Sequence, residues 1–184
     1  MKKMIFIIAL CAIGALALAG CDSCGSGNIN KYVKSMQSSA DKAVTVDAVV
    51  TLKDEGVTVY TLKRHIEIDL GTRTASVADT KITLSDNFEE ATSSTTVTAE
   101  NVTGETLIGL KLSTKLVTEY EITDGDLVAT VANDKISEVL SREVSASSDM
   151  TLSVDFEDGR LICAEYSYIN TSSRTVNVTV TYGY

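Results

Sequence analysis

Residues 44–70 read VTVDAVVTLKDEGVTVYTLKRHIEIDL, and their period is two. Val44, Val46, Ala48, Val50 and Leu52 alternate with Thr45, Asp47, Thr51 and Lys53. Asp54-Glu55-Gly56 supplies a turn. Tyr60, Leu62, Ile66, Ile68 and Leu70 then carry the apolar side back, with Arg64 as the interruption. Side chains of an extended chain point alternately to opposite faces, so this is an antiparallel pair with one greasy and one polar face. Gly71-Thr72 turns again, and Thr74 to Leu84 reads as a third strand.

The same grammar returns at the other end of the chain. Met150, Leu152, Val154 and Phe156 alternate, Glu157-Asp158-Gly159-Arg160 forms an Asp-Gly hairpin, and Leu161 to Ile169 returns with Tyr166 and Tyr168 on one face. Asn170 to Ser173 turns, and Val176, Val178, Val180 and Tyr182 close the chain. Between these ends the pattern weakens. Asp86 to Ser94 reads as a polar loop containing Phe88, with weak strand signals at Thr95 to Val102 and Glu105 to Leu112. Leu116, Thr118, Tyr120 and Ile122 alternate ahead of an Asp124-Gly125 turn, and Leu127 to Ala132 is apolar on both sides, as in a strand covered on both faces. Asn133 or Asp134 can cap a short helix presenting Ile136, Val139 and Leu140. Before the first strand, Tyr32, Met36, Ala40 and Ala43 recur at helical spacing, which predicts an amphipathic helix over 31–43.

The expected fold is therefore mainly β (α+β). About nine or ten long strands form an antiparallel meander, with an N-terminal helix and a short late helix. So many twisted strands curl or close, and with only two helices to cover them the expected form is a sheet curved into a half-barrel, with a closed eight-stranded barrel or a β-sandwich as the alternatives. The chain has no proline, so its sheet edges rely on charge or bulges for protection.

The first residues carry a different signal. Lys2 and Lys3 precede an uncharged apolar run from Met4 to Ala19, which ends Leu18-Ala19-Gly20-Cys21. At ~16 residues the run is shorter than the ~20 a spanning helix needs, and its layout is that of a secretory signal. Leu18, Ala19, Gly20 and Cys21 resemble the lipobox of bacterial lipoproteins. That resemblance implies an acyl-glyceryl group on the Cys21 thiol, followed by cleavage after Gly20. The expected organisation is a signal peptide at 1–20, a lipidated tether at 21–30 and one β-rich domain at 31–184. It also implies a bacterial cell membrane or outer membrane, with the domain facing the periplasm or the exterior. Asp22 resembles the inner-membrane retention signal of enterobacteria, and the choice of membrane stays open.

The element order of lipobox, tether, leading helix, long meander and late helix is similar to the half-barrel of lipoprotein-carrier and mycobacterial lipid-carrying lipoproteins. This resemblance, over 31–184, rests on element order and implies an apolar cavity for acyl chains.

Composition narrows the function classes. The full chain carries a net charge of −9, and loss of Lys2 and Lys3 takes it to −11. Such a surface repels phosphate backbones, so nucleic acid is not an expected partner. Of the four cysteines, Cys11 leaves with the signal and Cys21 carries lipid. Cys24 and Cys163 remain, either as a disulfide or with Cys163 as a small buried hydrophobe. His65 is the sole histidine and falls on the polar side of its strand, so neither a conventional zinc site nor a Cys163–His65 nucleophile pair is expected. Asp124-Gly125-Asp126 lacks the further ligands of a calcium loop, and Glu89-Glu90 read as solvated charges. Asn101, Asn170 and Asn177 begin sequons, which carry no meaning in a bacterium. No catalytic residue, metal or cofactor is expected beyond the covalent anchor on Cys21. Tyr60, Tyr120, Tyr166, Tyr168 and Tyr182 are the aromatics expected to line a core or a cavity mouth.

The expected function is non-enzymatic binding of a hydrophobic ligand, such as a lipid or acyl chain, close to a membrane. The alternative is a structural or interaction module meeting another envelope protein through the sheet surface or an edge strand.

Overall fold

A computed structural model describes residues 27–85, 87–117 and 119–184. The expected signal peptide at 1–20, the lipobox-like residues Leu18 to Cys21, Asp22 and Cys24 lie outside the described residues. The chain forms α1 (Gly27–Ala40), β1 (Thr45–Asp54), β2 (Val57–Asp69), β3 (Thr74–Leu84), β4 (Glu90–Ala99) and α2 (Gly104–Ile108). It continues with β5 (Glu119–Thr123), β6 (Asp126–Val131), a 3-10 turn at Asn133–Lys135 leading into α3 (Ile136–Val139), β7 (Met150–Glu157), β8 (Arg160–Ile169) and β9 (Thr175–Gly183).

All nine strands join one antiparallel sheet in the order β4-β3-β2-β1-β9-β8-β7-β6-β5. Two meanders run outward from the centre, and the pairing of β1 with β9 joins them. The sheet is open, with β4 and β5 as its edges, so neither the closed barrel nor the sandwich forms. Three hairpins turn on Glu55-Gly56, Asp124-Gly125 and Asp158-Gly159, each with positive φ at both residues. That geometry matches the strand twist and is easiest for glycine and short polar side chains.

One face of the sheet carries the helices. Tyr32, Met36, Ala40 and Ala43 are all buried, as the spacing predicts, and Ile29 joins them because α1 opens at Gly27, inside the stretch read as tether. On β6–β9 the inward positions Leu127, Ala129, Val131, Met150, Leu152, Val154 and Val178 are buried. Leu110, Leu112, Leu116 and Val117 from the link before β5, and Ile136, Val139 and Leu140 around α3, complete the same core.

Four local expectations are overturned. Residues 104–108 form α2 instead of a strand, because Thr103 caps it: its hydroxyl accepts from the Thr106 N–H, and the Thr106 hydroxyl accepts from the Thr103 N–H. Strand β4 occupies Glu90–Ala99, across the boundary drawn between a polar loop and a weak strand. As an edge strand exposed on both faces it has no need of alternation. Strand β6 is covered on one face only, for Val128 is 57% exposed. Neither Asn133 nor Asp134 caps α3, since the chain enters it through the 3-10 turn, and the Asn133 N–H donates to the Asp149 carboxylate.

Ser39 is the buried polar side chain among the described residues, and it ties α1 to two strands. Its hydroxyl accepts from the Leu161 N–H at 2.8 Å and lies 2.8 Å from the Tyr184 hydroxyl, which donates to the Leu161 carbonyl at 2.9 Å. Ser39→Ala leaves a buried amide without this acceptor, so a loss of about 1–3 kcal/mol is expected in urea unfolding. A change below about 0.5 kcal/mol would show that water replaces the hydroxyl at no cost.

Candidate functional site

The helices cover the β6–β9 half of the inner face and leave much of the β1–β4 half open. Near the end of α1, Val46, Ile68 and Ala75 are buried. Further out along the same face, Val50, Leu52, Tyr60, Leu62, Ile66 and Val77 are half-buried. Val97, on the edge strand, is 59% exposed.

The interruption at Arg64 is resolved here. Arg64 occupies an inward position directly opposite Asp79 in the β2–β3 register. Its Nε and Nη2 donate to the two Asp79 carboxylate oxygens at 2.7 and 2.8 Å. A guanidinium and a carboxylate fit each other in this fork, so both charges are tolerated on an apolar face. The hydrogen bond from Arg64 holds the Asp79 carboxyl below its ordinary range. A depressed carboxylate pKa contributes stability above the group's ordinary value, and this is lost as pH falls through the folded value. Arg64→Ala is expected to cost about 1 kcal/mol at pH 7, since the pair is part-exposed. Denaturation at pH 7 and at pH 2.5 tests this: the gap between variant and wild type should shrink at the lower pH, and an equal gap at both would assign the effect to packing.

At the hairpin end of these strands the face opens into a trough of about 790 Å³, lined by the apolar Leu52, Val57, Val59, Tyr60, Leu84 and Phe88 and by the polar Asp54, Glu55, Thr83, Ser85 and Arg174. The Arg174 Nε donates to the Asp54 carboxylate at 2.9 Å on its border. Phe88 is 75% exposed, and its backbone sits at φ 60°, a conformation unusual for a bulky side chain. The β3–β4 turn holds it there: the Phe88 N–H donates to the Ser85 carbonyl, and the Ser85 N–H to the Glu89 carbonyl. A phenyl ring is thus presented to solvent beside a trough of mixed apolar and polar lining. The sequence alone marks Tyr60 as a candidate lining residue, Leu52 as part of an apolar strand face and Phe88 as part of a loop, and does not bring them together, because the trough joins two hairpins and the β8–β9 turn.

The other tyrosines are core residues. Tyr168 and Tyr182 are buried, while Tyr120 and Tyr166 are partly buried against the core. Burial raises the Tyr182 phenol above its ordinary range, and its hydroxyl is buried without a hydrogen-bond partner.

The chemistry-bearing residues are dispersed. His65 lies exposed on the outer face, its Nδ1 2.6 Å from an Asp47 oxygen and its Nε2 3.6 Å from Glu67. The hydrogen bond to Asp47 raises its pKa. Cys163 is a free, half-buried thiol, and burial pushes it up to about 11, far from the thiolate a nucleophile needs. Register places Asp47 and Thr181 between His65 and Cys163, a separation of three strand spacings, or about 14 Å. The two are not a pair. Asp126 has turn chemistry, accepting the Phe156 N–H at 2.7 Å beside the β7–β8 bulge. Among the described residues no three His, Cys, Asp or Glu side chains group as a metal site, and no helix is long and apolar enough to cross a membrane.

No protein-family model matches the chain, and no curated protein matches it. Solved structures that the chain matches include a redesigned β barrel, mFAP1, bound to DFHBI, at 8% identity and a TM-score of 0.24, covering 79% of this chain and 98% of that one. They also include an erythromycin dehydratase at 8% identity and a TM-score of 0.25, covering 87% of this chain and 81% of that one. The dehydratase domain from the CurF module of curacin polyketide synthase scores 0.24 at 8% identity, covering 86% and 81% respectively.

Proposed function

We propose that the chain is a bacterial envelope lipoprotein, held at a membrane by an acyl-glyceryl anchor on Cys21, that binds an apolar ligand without catalysing a reaction. The uncovered β1–β4 half of the inner face carries this reading. Its trough falls within the ~300–1,000 Å³ of small-molecule sites, and its walls mix apolar side chains with the polar Asp54, Glu55, Thr83, Ser85 and Arg174. Each methylene of a lipid or acyl chain buried there contributes about 0.8 kcal/mol. The site is an open trough on the sheet, so the ligand lies along the strands with one side toward solvent.

Mass spectrometry of organic extracts from a soluble form lacking Cys21 tests the reading, together with titration of a hydrophobic dye. Stoichiometric lipid and saturable dye binding are expected, and Phe88→Ser should weaken the dye several-fold while leaving the fold intact. Repeated native preparations that carry no lipid and bind no dye would end the binding reading.

A further inference from the structure

The two edges of the sheet differ in a way that bears on association. Strand β5 is five residues long and sets the exposed charges of Glu119 and Glu121 along its edge. Strand β4 is ten residues long and pairs with β3 in unbroken register from Leu84↔Glu90 to Ala75↔Ala99. It has no lysine, proline, glycine or bulge, and its single charge is Glu90, its first residue. Thr92, Thr95, Thr96, Val97 and Thr98 are β-branched and suit an extended conformation. Natural edges are normally shortened, charged or bulged, because unpaired N–H and C=O groups recruit another strand. β4 has none of these guards.

We propose that β4 is an interface at which a second copy of this chain pairs antiparallel, β4 against β4, about a two-fold axis through Ser94. Such an axis, perpendicular to the sheet, keeps the inner faces of both copies on one side. Glu90 then meets Thr98, Ala91 meets Val97, Thr92 meets Thr96, and Ser93 meets Thr95. Apolar side chains oppose apolar ones, hydroxyls oppose hydroxyls, and no charge faces its own kind. Hydroxyl pairs of this sort favour cross-strand pairing, whereas like charges directly opposite disfavour it. On a chain of net charge −9, residues 91–99 of this edge carry no charge, and the carboxylates of Glu89, Glu90 and Glu100 stand at its two ends. The pairing is isologous and self-complementary, and it closes as a dimer. It uses one strand from each copy, so its area is small beside the ~1,600 Å² of a standard interface, and association is reversible and concentration-dependent.

The test uses the full chain in detergent micelles, by native mass spectrometry over a concentration series and by crosslinking with a short bismaleimide. A dimer that grows with concentration is expected. Ser94→Cys should add a crosslinked dimer absent from the wild-type chain with its native cysteines, and absent from Glu121→Cys on the other edge. Ser94→Lys, at an exposed position, sets two ammonium groups face to face and should weaken the dimer several-fold. A monomer at every concentration, with no crosslink from Ser94→Cys, overturns the proposal. So does a dimer that Ser94→Lys leaves unchanged, since that contact lies elsewhere.

Discussion

Cys21→Ala is expected to abolish both acylation and cleavage, so that the mature N-terminal peptide disappears and residues 1–20 are retained. On the lipobox reading the thiol is modified first and the peptidase cuts second, so loss of one sulfur atom blocks both steps. The effect is all-or-none because no other residue supplies the thiol at that position. Each buried methylene of an acyl chain contributes about 0.8 kcal/mol, and two or three chains make anchoring stable where one gives marginal binding. A net charge of −11 for residues 21–184 offers anionic lipid no electrostatic attraction to compensate. Incorporation of labelled palmitate and the mass of the N-terminal peptide are the measurements. A wild-type chain that keeps residues 1–20, or that carries an unmodified Cys21 thiol, refutes the anchor.

Gly104→Ala is expected to destabilise the fold by about 3 kcal/mol or more, at the upper end of overpacking costs. The reason is space and not backbone conformation. A Cβ on residue 104 would overlap the Gln37 carbonyl oxygen and lie 2.9 Å from the Asp41 nitrogen, both in the backbone at the end of α1. Backbone atoms inside a hydrogen-bonded turn cannot rotate aside as a flexible side chain can. The Asp41 N–H donates to that same Gln37 carbonyl at 2.9 Å, and the Gly104 N–H donates to the Asp41 carboxylate at 2.6 Å. Moving α2 away to admit the methyl group breaks the second bond and withdraws Val102 and Ile108 from the core. For a domain of this size the loss corresponds to a melting point lower by roughly 6–12 °C. Thermal unfolding within 1 °C of the wild type would show that α2 does not seat on α1 as described.

The strands that alternate in sequence are the strands that form, and for one reason. In β7–β9 one face meets the core and the other meets water, and in β1–β3 one face is apolar and half-buried while the other is polar, so the two-sidedness of the sheet writes itself into the chain with period two. β4 escaped that logic, because an edge strand exposed on both faces has nothing to alternate. α2 escaped it too, since five residues are too few to show a period and a Thr103–Thr106 capping box is easily read as strand. Val128 was legible as apolar, but not as exposed.

The candidate site divides in the same way. Arg64 stood out as a break in the apolar side of β2, yet the carboxylate that makes it tolerable lies fifteen residues away across the hairpin. Tyr60 was legible as an aromatic on the inner face. Its companions were not, because Leu84 and Phe88 arrive from the next hairpin and Arg174 from the last turn.

The sequence by itself determined the antiparallel strands, the turn residues between them, the buried stripe of α1 and the mainly β class. Each of these depends on neighbours within a few residues, where side-chain alternation and positive-φ turns act directly. Only the tertiary structure decided that β1 pairs with β9, that the sheet stays open, and that the helices cover one half of its inner face. Those outcomes depend on register and packing between segments more than a hundred residues apart, and no local pattern encodes them.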